Sequence, residues 1–196
     1  MEYYESKFTN EHFIALGKMN VYFQFIENQI DRLLSVFLNT HFLSSHTKRM
    51  NALLSEIPFK TKCSTLRSLI NDITSFEDIA DAFPKELHDK SEKILDEIFA
   101  LKPLFKKIEQ CSSIRNKYIH SHWINGGICG PKNSVARYKL TAKGKGVKGE
   151  FVFECSSELE SKAEYILQTY NELLDITMNL VFLAVPSDGE SSNVNE

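Results

Sequence analysis

"SIRNKYIHSHW", Ser113–Trp123, places an arginine, an asparagine and a histidine (Arg115, Asn116 and His120) within six positions of a segment that otherwise reads as helix. His122 and Trp123, the chain's single tryptophan, follow at once. Upstream, Phe105, Ile108 and Ile114 recur at helical spacing, so the stretch stands at the end of a helix. Downstream the pattern changes. "INGGICGPKNS" (124–134) is loop by composition. "VARYKLTA" (135–142) alternates, "KGKGVKGE" (143–150) turns and "FVFEC" (151–155) alternates back. Together they predict one β-hairpin over about 134–155, with a basic tip.

Outward from this point the chain is a string of helical patterns. Thr9-Asn10-Glu11 caps a long helix running to about Asn39, with Phe13, Leu16, Phe23, Ile30, Leu34 and Phe37 inward. Glu27 lies between Phe23 and Ile30, so it stands at the edge of the stripe or is buried with a partner, because an unpaired buried charge is too costly. "HFLSSHTKRMNALLSEIPF" (41–59) reads as a loop with a short helical piece. Lys60–Ile73 is a second amphipathic helix with Leu66, Leu69, Ile70 and Ile73 inward, and Ser75–Asp78 caps a turn that Pro84 ends. Pro84-Lys85-Glu86 opens a helix carrying Leu87, Ile94, Leu95, Ile98 and Leu101, which Pro103 kinks or replaces with a fresh one. Ser156-Ser157-Glu158 caps a last long helix with Ala163, Ile166, Leu167, Tyr170, Leu173, Leu174 and Met178 inward. The expected class is mainly α: an antiparallel helical bundle, one domain over 1–185, with a β-hairpin inserted before the last long helix and a disordered tail over 186–196.

Composition narrows the function. A chain of 196 residues, 42% apolar and 25% charged, has room for one proper core and an ordinary surface. Its net charge of -3 argues against a bulk electrostatic grip on nucleic acid and leaves only a local basic site. Cys63, Cys111, Cys129 and Cys155 form no C-x-x-C pair, which predicts reduced thiols in a cytoplasmic protein. The acidic start, MEYYESKFTNEHF, has no apolar core of a signal peptide, and the apolar run near Met178–Val185 is too short to span a bilayer. H-E-x-x-H and G-x-S-x-G are absent, and G-G-I-C-G lacks the Gly-Lys-Ser/Thr ending of a phosphate loop. His12, His41, His46 and His88 are scattered and read as surface residues, so neither metal nor cofactor is expected.

Arg115, Asn116 and His120 have the form R-N-x-x-x-H, which resembles the signature of the HEPN superfamily. "ALGKMNVYFQFIENQIDRLL" (15–34) is similar to the first long helix of such domains, and "FKTKCSTLRSLI" (59–70) to their second-helix stretch. "RNKYIHSHW" (115–123) resembles the R-N-x-x-x-H-x-x-W variant of many bacterial members. The likeness covers roughly residues 10–185 as architecture, but about six residues carry its specificity. It implies an HEPN-like bundle, a homodimer whose motif helices meet in a composite cleft, and a metal-independent endoribonuclease leaving 2′,3′-cyclic phosphate ends. A role as toxin or antiphage defence factor, with an antitoxin or regulatory protein as partner, is also implied.

The side chains suit that chemistry. RNA is cleaved without metal when its own 2′-hydroxyl attacks phosphorus. His120 is the natural group to move the proton, and Arg115 can hold the phosphate oxygens bidentately. Asn116 lies four residues before His120, on the same helical face, and can orient the imidazole or hold a phosphate oxygen. Arg115 and His120 diverge by about 140° on an ideal helix, which is why a second copy would complete the site. Lys117 and His122 are candidate substrate contacts, as are Lys143, Lys145 and Lys148 on the hairpin tip. Glu27 and Trp123 would support the site. The same residues also admit a plainer account, in which Arg115 pairs with Glu27, His120 caps the helix and Trp123 is a core aromatic. A non-catalytic module binding nucleotide, RNA or a protein is the rival function.

Overall fold

A computed structural model gives the architecture and describes residues 4–38, 53–75, 85–142 and 147–184. The protein is mainly α. In chain order come β1 (Tyr4–Glu5), α1 (Asn10–Leu38), α2 (Phe59–Ile73), a 3-10 helix (Lys85–Lys90), α3 (Ser91–Ile119), β2 (His122–Ile124), β3 (Cys129–Gly130), β4 (Ser134–Ala142), β5 (Val147–Cys155) and α4 (Ser156–Ala184). The β-hairpin therefore stands before the last long helix, as its alternation predicts. Its strands run antiparallel from Ser134↔Cys155 to Ala142↔Val147. No helix among the described residues is long and apolar enough to cross a membrane. Residues 41–52, 76–84, 143–146 and 186–196, with the loop, turn, hairpin-tip and tail expectations that fall on them, lie outside the described residues; 53–55 form a helical turn.

The chain gathers into two compact units, Met1–Ile26 with Lys106–Tyr170 and Glu27–Phe105 with Asn171–Glu196. In the second, Ile30, Leu33, Leu66, Ile70, Ile98 and Leu101 are fully buried, and Lys62 is buried as an ion pair with Asp31 at 2.7 Å. An ammonium is tolerated there because its carboxylate partner is in place. Pro103 neither ends nor restarts α3, which runs unbroken through it. Proline removes one backbone donor, so the carbonyl of Phe99 one turn earlier loses its partner. Phe99 is 52% exposed, which lets water take that role.

The first unit holds the motif. Its core is Ala15, Met19, Phe23, Ile26, Ile108, Cys111 and Ile166, among others. The inward stripe of α1 is thus shifted from the expected one. Phe13 is 60% exposed and stacks on Phe8 with ring centroids 4.7 Å apart, while Met19 and Ile26 are inside. Met178 of α4, in the second unit, likewise proves 50% exposed. His12, expected on the surface, is fully buried. Its Nδ1 accepts from the Thr9 backbone N–H at 3.2 Å and lies 2.9 Å from the Thr9 hydroxyl. A histidine here takes the place of the Glu or Gln that usually bonds back to an N-cap residue.

Three short strands, β1, β2 and β3, stand beside the expected hairpin. β2 pairs antiparallel with β4 (Trp123↔Arg137), which makes a three-stranded sheet of order β2-β4-β5. β1 pairs with β3 (Tyr4↔Gly130). Gly126 and Gly127 turn between β2 and β3 at φ 85° and 74°, a region costly for other residues. At Gly130 an added Cβ would lie 2.3 Å from the Phe153 ring. Gly130→Ala should therefore cost about 1–3 kcal/mol through overpacking. Gly17→Ala, where nothing lies within 4 Å, should gain about 0.5–1 kcal/mol of helix stability. Urea unfolding of both variants checks this pair of opposite signs.

Candidate functional site

The last four carbonyls of an α-helix have no partner inside it. Helix α3 ends at Ile119, and side chains from the connection and strands that follow satisfy three of these carbonyls in succession. Lys139 Nζ donates to the Asn116 carbonyl at 3.0 Å, the Ser121 hydroxyl to that of Lys117, and the Trp123 indole N–H to that of Tyr118 at 3.1 Å. Lys139 also brings a cation to the negative end of the helix dipole. His120 is the first residue past the helix, set between the buried Tyr118 and the bonded Ser121.

Beneath this end lies a charge network that the sequence did not announce. Arg137 on β4 is fully buried. Its Nη2 donates to Glu150 Oε1 at 2.7 Å, its Nε to Glu154 Oε1 at 3.3 Å and its Nη1 to Ser121 Oγ at 3.2 Å. Glu154, also buried, accepts from the Tyr118 hydroxyl at 3.1 Å and has Lys162 Nζ at 3.6 Å. Arg137, Lys162 and Lys117 lie 5.4, 5.3 and 5.7 Å from the Tyr118 ring centroid. The guanidinium thus spends its donors on two carboxylates and one hydroxyl, which is what a buried arginine requires. The hydrogen bond from Arg137, then that from Lys117, holds the Glu150 carboxyl below its usual range. Its contribution to stability is full above the ordinary carboxylate value and is lost as pH falls through the lowered one. Burial first, then the Glu154 charge, pushes the Tyr118 phenol well above its ordinary value. Burial likewise raises the Cys111 thiol to about 11. Both groups favour the folded state below their unfolded values and lose that contribution as pH rises beyond them.

The expected site residues fall as follows. Arg115 sits in the last turns of α3, half-buried. Its Nη1 donates to Asn116 Oδ1 at 3.0 Å and its Cζ lies 5.5 Å from the Phe23 ring centroid. Its Nε is buried and has no hydrogen-bond partner among the described residues. Asn116, His120 and His122 are exposed, and His120 makes no hydrogen bond or ion pair with another described residue. Because the helix stops at Ile119, His120 leaves the helical wheel on which the 140° divergence from Arg115 was reckoned. Lys117 is engaged with Glu150 at 3.1 Å. Trp123 is half-buried and lies 5.5 Å from the Phe8 ring and 6.2 Å from that of Tyr118. Glu27 is half-buried in α1. Lys143 and Lys145 lie outside the described residues, and Lys148 falls in β5 opposite Thr141.

Arg137, Glu154, Glu150 and Tyr118 are the residues that sequence reasoning missed. The available signal was a charge in the middle of each alternating strand. With the register known, Arg137 and Glu154 lie diagonally across the hairpin on one face. No group of three or more potential metal ligands occurs among the described residues. No family model matches the chain, and no curated protein or solved structure matches it at a significant level.

Removing one member of the buried pair strands the other. Arg137→Met should cost about 3–5 kcal/mol. Arg137→Met combined with Glu154→Gln should cost clearly less than the two single losses added, because the stranded charge is gone. Denaturant unfolding of the three variants measures this coupling. In wild type, thermal melts should also fall as pH rises above about 10, where Tyr118 begins to ionise in the unfolded chain.

Proposed function

We propose that the protein is a metal-independent endoribonuclease of HEPN type, in which Arg115, Asn116 and His120 act on RNA at a site completed by a second copy. The observation that carries the proposal is the state of the helix end. His120 projects into solvent from a backbone held on both sides, while Arg115 is oriented by Asn116 and Phe23 rather than paired with a carboxylate among the described residues. The imidazole stands exposed, within reach of a substrate. Its backbone position costs no reordering.

In the proposed reaction His120 takes the proton of the 2′-hydroxyl. The O2′–P bond forms and the P–O5′ bond breaks, giving a 2′,3′-cyclic phosphate. An imidazolium of the composite site returns a proton to the leaving 5′-oxygen. Arg115 stabilises the charge that develops on the non-bridging oxygens. Asn116 orients the guanidinium, Lys117 contacts a flanking phosphate and His122 a flanking nucleotide. A role as toxin or antiphage defence factor, held in check by an antitoxin or regulatory protein, belongs to the same proposal.

Purified wild type, His120→Ala and Arg115→Ala should be incubated with mixed RNA, with and without EDTA. Each variant should lose at least about 100-fold in cleavage while keeping its fold. Activity should survive the chelator, and DNA, which lacks the 2′-hydroxyl, should remain intact. Equal cleavage by wild type and His120→Ala sinks the mechanism. No cleavage of varied RNAs by any of them transfers the function to a binding module. Light scattering should show a dimer at tens of micromolar, a range spanning ordinary dimer affinities.

A further inference from the structure

The sheet has a second face, turned away from the Arg137 network. Cross-strand neighbours share a face, so the pairings His122↔Tyr138 and Tyr138↔Phe151 set three ring side chains in one row across β2, β4 and β5. At about 4.8 Å between strands, the row spans about 10 Å. The next row on the same face is Ile124, Ala136 and Phe153. Phe153 meets Phe151 edge-on, with centroids 5.4 Å apart. Phe151 is 47% exposed and Leu140, also on this face, 51%. Gly149 leaves room for the Tyr138 ring, since a Cβ there would lie 3.0 Å from the Tyr138 hydroxyl, while Gly130 of β3 packs against the ring of Phe153 and covers it. Tyr4 pairs across from Gly130 and extends the ring surface from that side.

The charges are sorted to match. The acidic residues of β5, Glu150 and Glu154, point to the opposite face, where Arg137 and Lys117 take them up. Among the described residues of β2, β4 and β5, the ring-bearing face has no acidic side chain. In β1, Glu5 alternates away from Tyr4 and pairs with Lys7 at 2.6 Å. An exposed imidazole, His122, stands at one end of the surface, and at the other Lys132 Nζ lies 5.8 Å from the Tyr4 ring centroid. In a chain of net charge -3, this is a face cleared of negative charge and lined with rings.

We infer that this face is a stacking platform for single-stranded RNA, with His122, Tyr138 and Phe151 taking bases and Lys132 a phosphate. Flat rings accept any base because every base has a π-face, while flanking cations meet the backbone. His120 lies two residues before His122, so the platform leads directly to the proposed catalytic group. That RNA is the occupant rests on the nuclease reading; the stacking surface itself rests on the register and the exposed rings.

The test is fluorescence anisotropy with a labelled single-stranded 2′-O-methyl RNA of about ten nucleotides, a length typical of such sites. Its blocked 2′-oxygen prevents cleavage. Wild type should bind. Phe151→Leu and Tyr138→Leu keep apolar bulk but lose the π-face, and each should weaken binding roughly 5- to 150-fold with the fold retained. Equal binding by wild type and both leucine variants overturns the platform, as does no binding by wild type. So does a result in which Phe151→Lys turns a dimer into a monomer without altering RNA binding, which assigns the face to a second copy. The two proposals fail separately. Platform-dependent binding with no cleavage of natural RNA removes the nuclease alone, and His120-dependent cleavage with unchanged KM in Phe151→Leu removes the platform alone.

Discussion

The buried pair of Arg137 and Glu154 is the interaction on which the motif region depends. A guanidinium with no exposed surface is stable only where each of its faces is met, and Glu154, Glu150 and Ser121 meet them. Ser121 is in turn bonded to the Lys117 carbonyl, and Trp123, paired with Arg137 across the sheet, caps the Tyr118 carbonyl. The charge pair thereby fixes both the register of β2 on β4 and the point at which α3 stops. A helix that ended here without these donors would leave three carbonyls to compete for water beside a buried tyrosine.

Most of the architecture was legible because its periodicities are strong. The second helix was expected at Lys60–Ile73 and stands at Phe59–Ile73. The hairpin was expected over about 134–155, and its strands run Ser134–Ala142 and Val147–Cys155. Glu158 bonds back to the Cys155 N–H at 3.3 Å, as an acidic residue in a first turn should. What was not legible depends on tertiary context. β2 is three residues long, too short for alternation to show. Phe13 carries the period of its helix as well as Met19 does, yet it lies outside, stacked on Phe8. His12 looks like any surface histidine until the Thr9 cap is seen.

The candidate site divides in the same way. Arg115, Asn116 and His120 are conspicuous in the sequence because they are polar residues at the end of an apolar pattern. Arg137 is no less polar, yet a strand of alternating residues hides it, since alternation alone does not say which face is covered. The two groups are also used differently. Arg137 and Glu154 are enclosed and hold one another, whereas His120 is exposed and makes no hydrogen bond with another described residue. The proposed site needs both features, a rigid support and an exposed side chain. The sheet supplies that support on one face and an array of rings on the other.

The most direct measurement of this account uses the single tryptophan. The indole N–H of Trp123 gives one signal in a nitrogen-correlated NMR spectrum, and its bond to the Tyr118 carbonyl should slow its exchange with water. In wild type the proton should be protected well beyond an unfolded peptide. In Arg137→Met, under conditions where the helices remain folded, that protection should be lost. An indole proton that exchanges freely in wild type, or that stays equally protected in Arg137→Met, would contradict the claim that the buried charge pair holds the end of the motif helix.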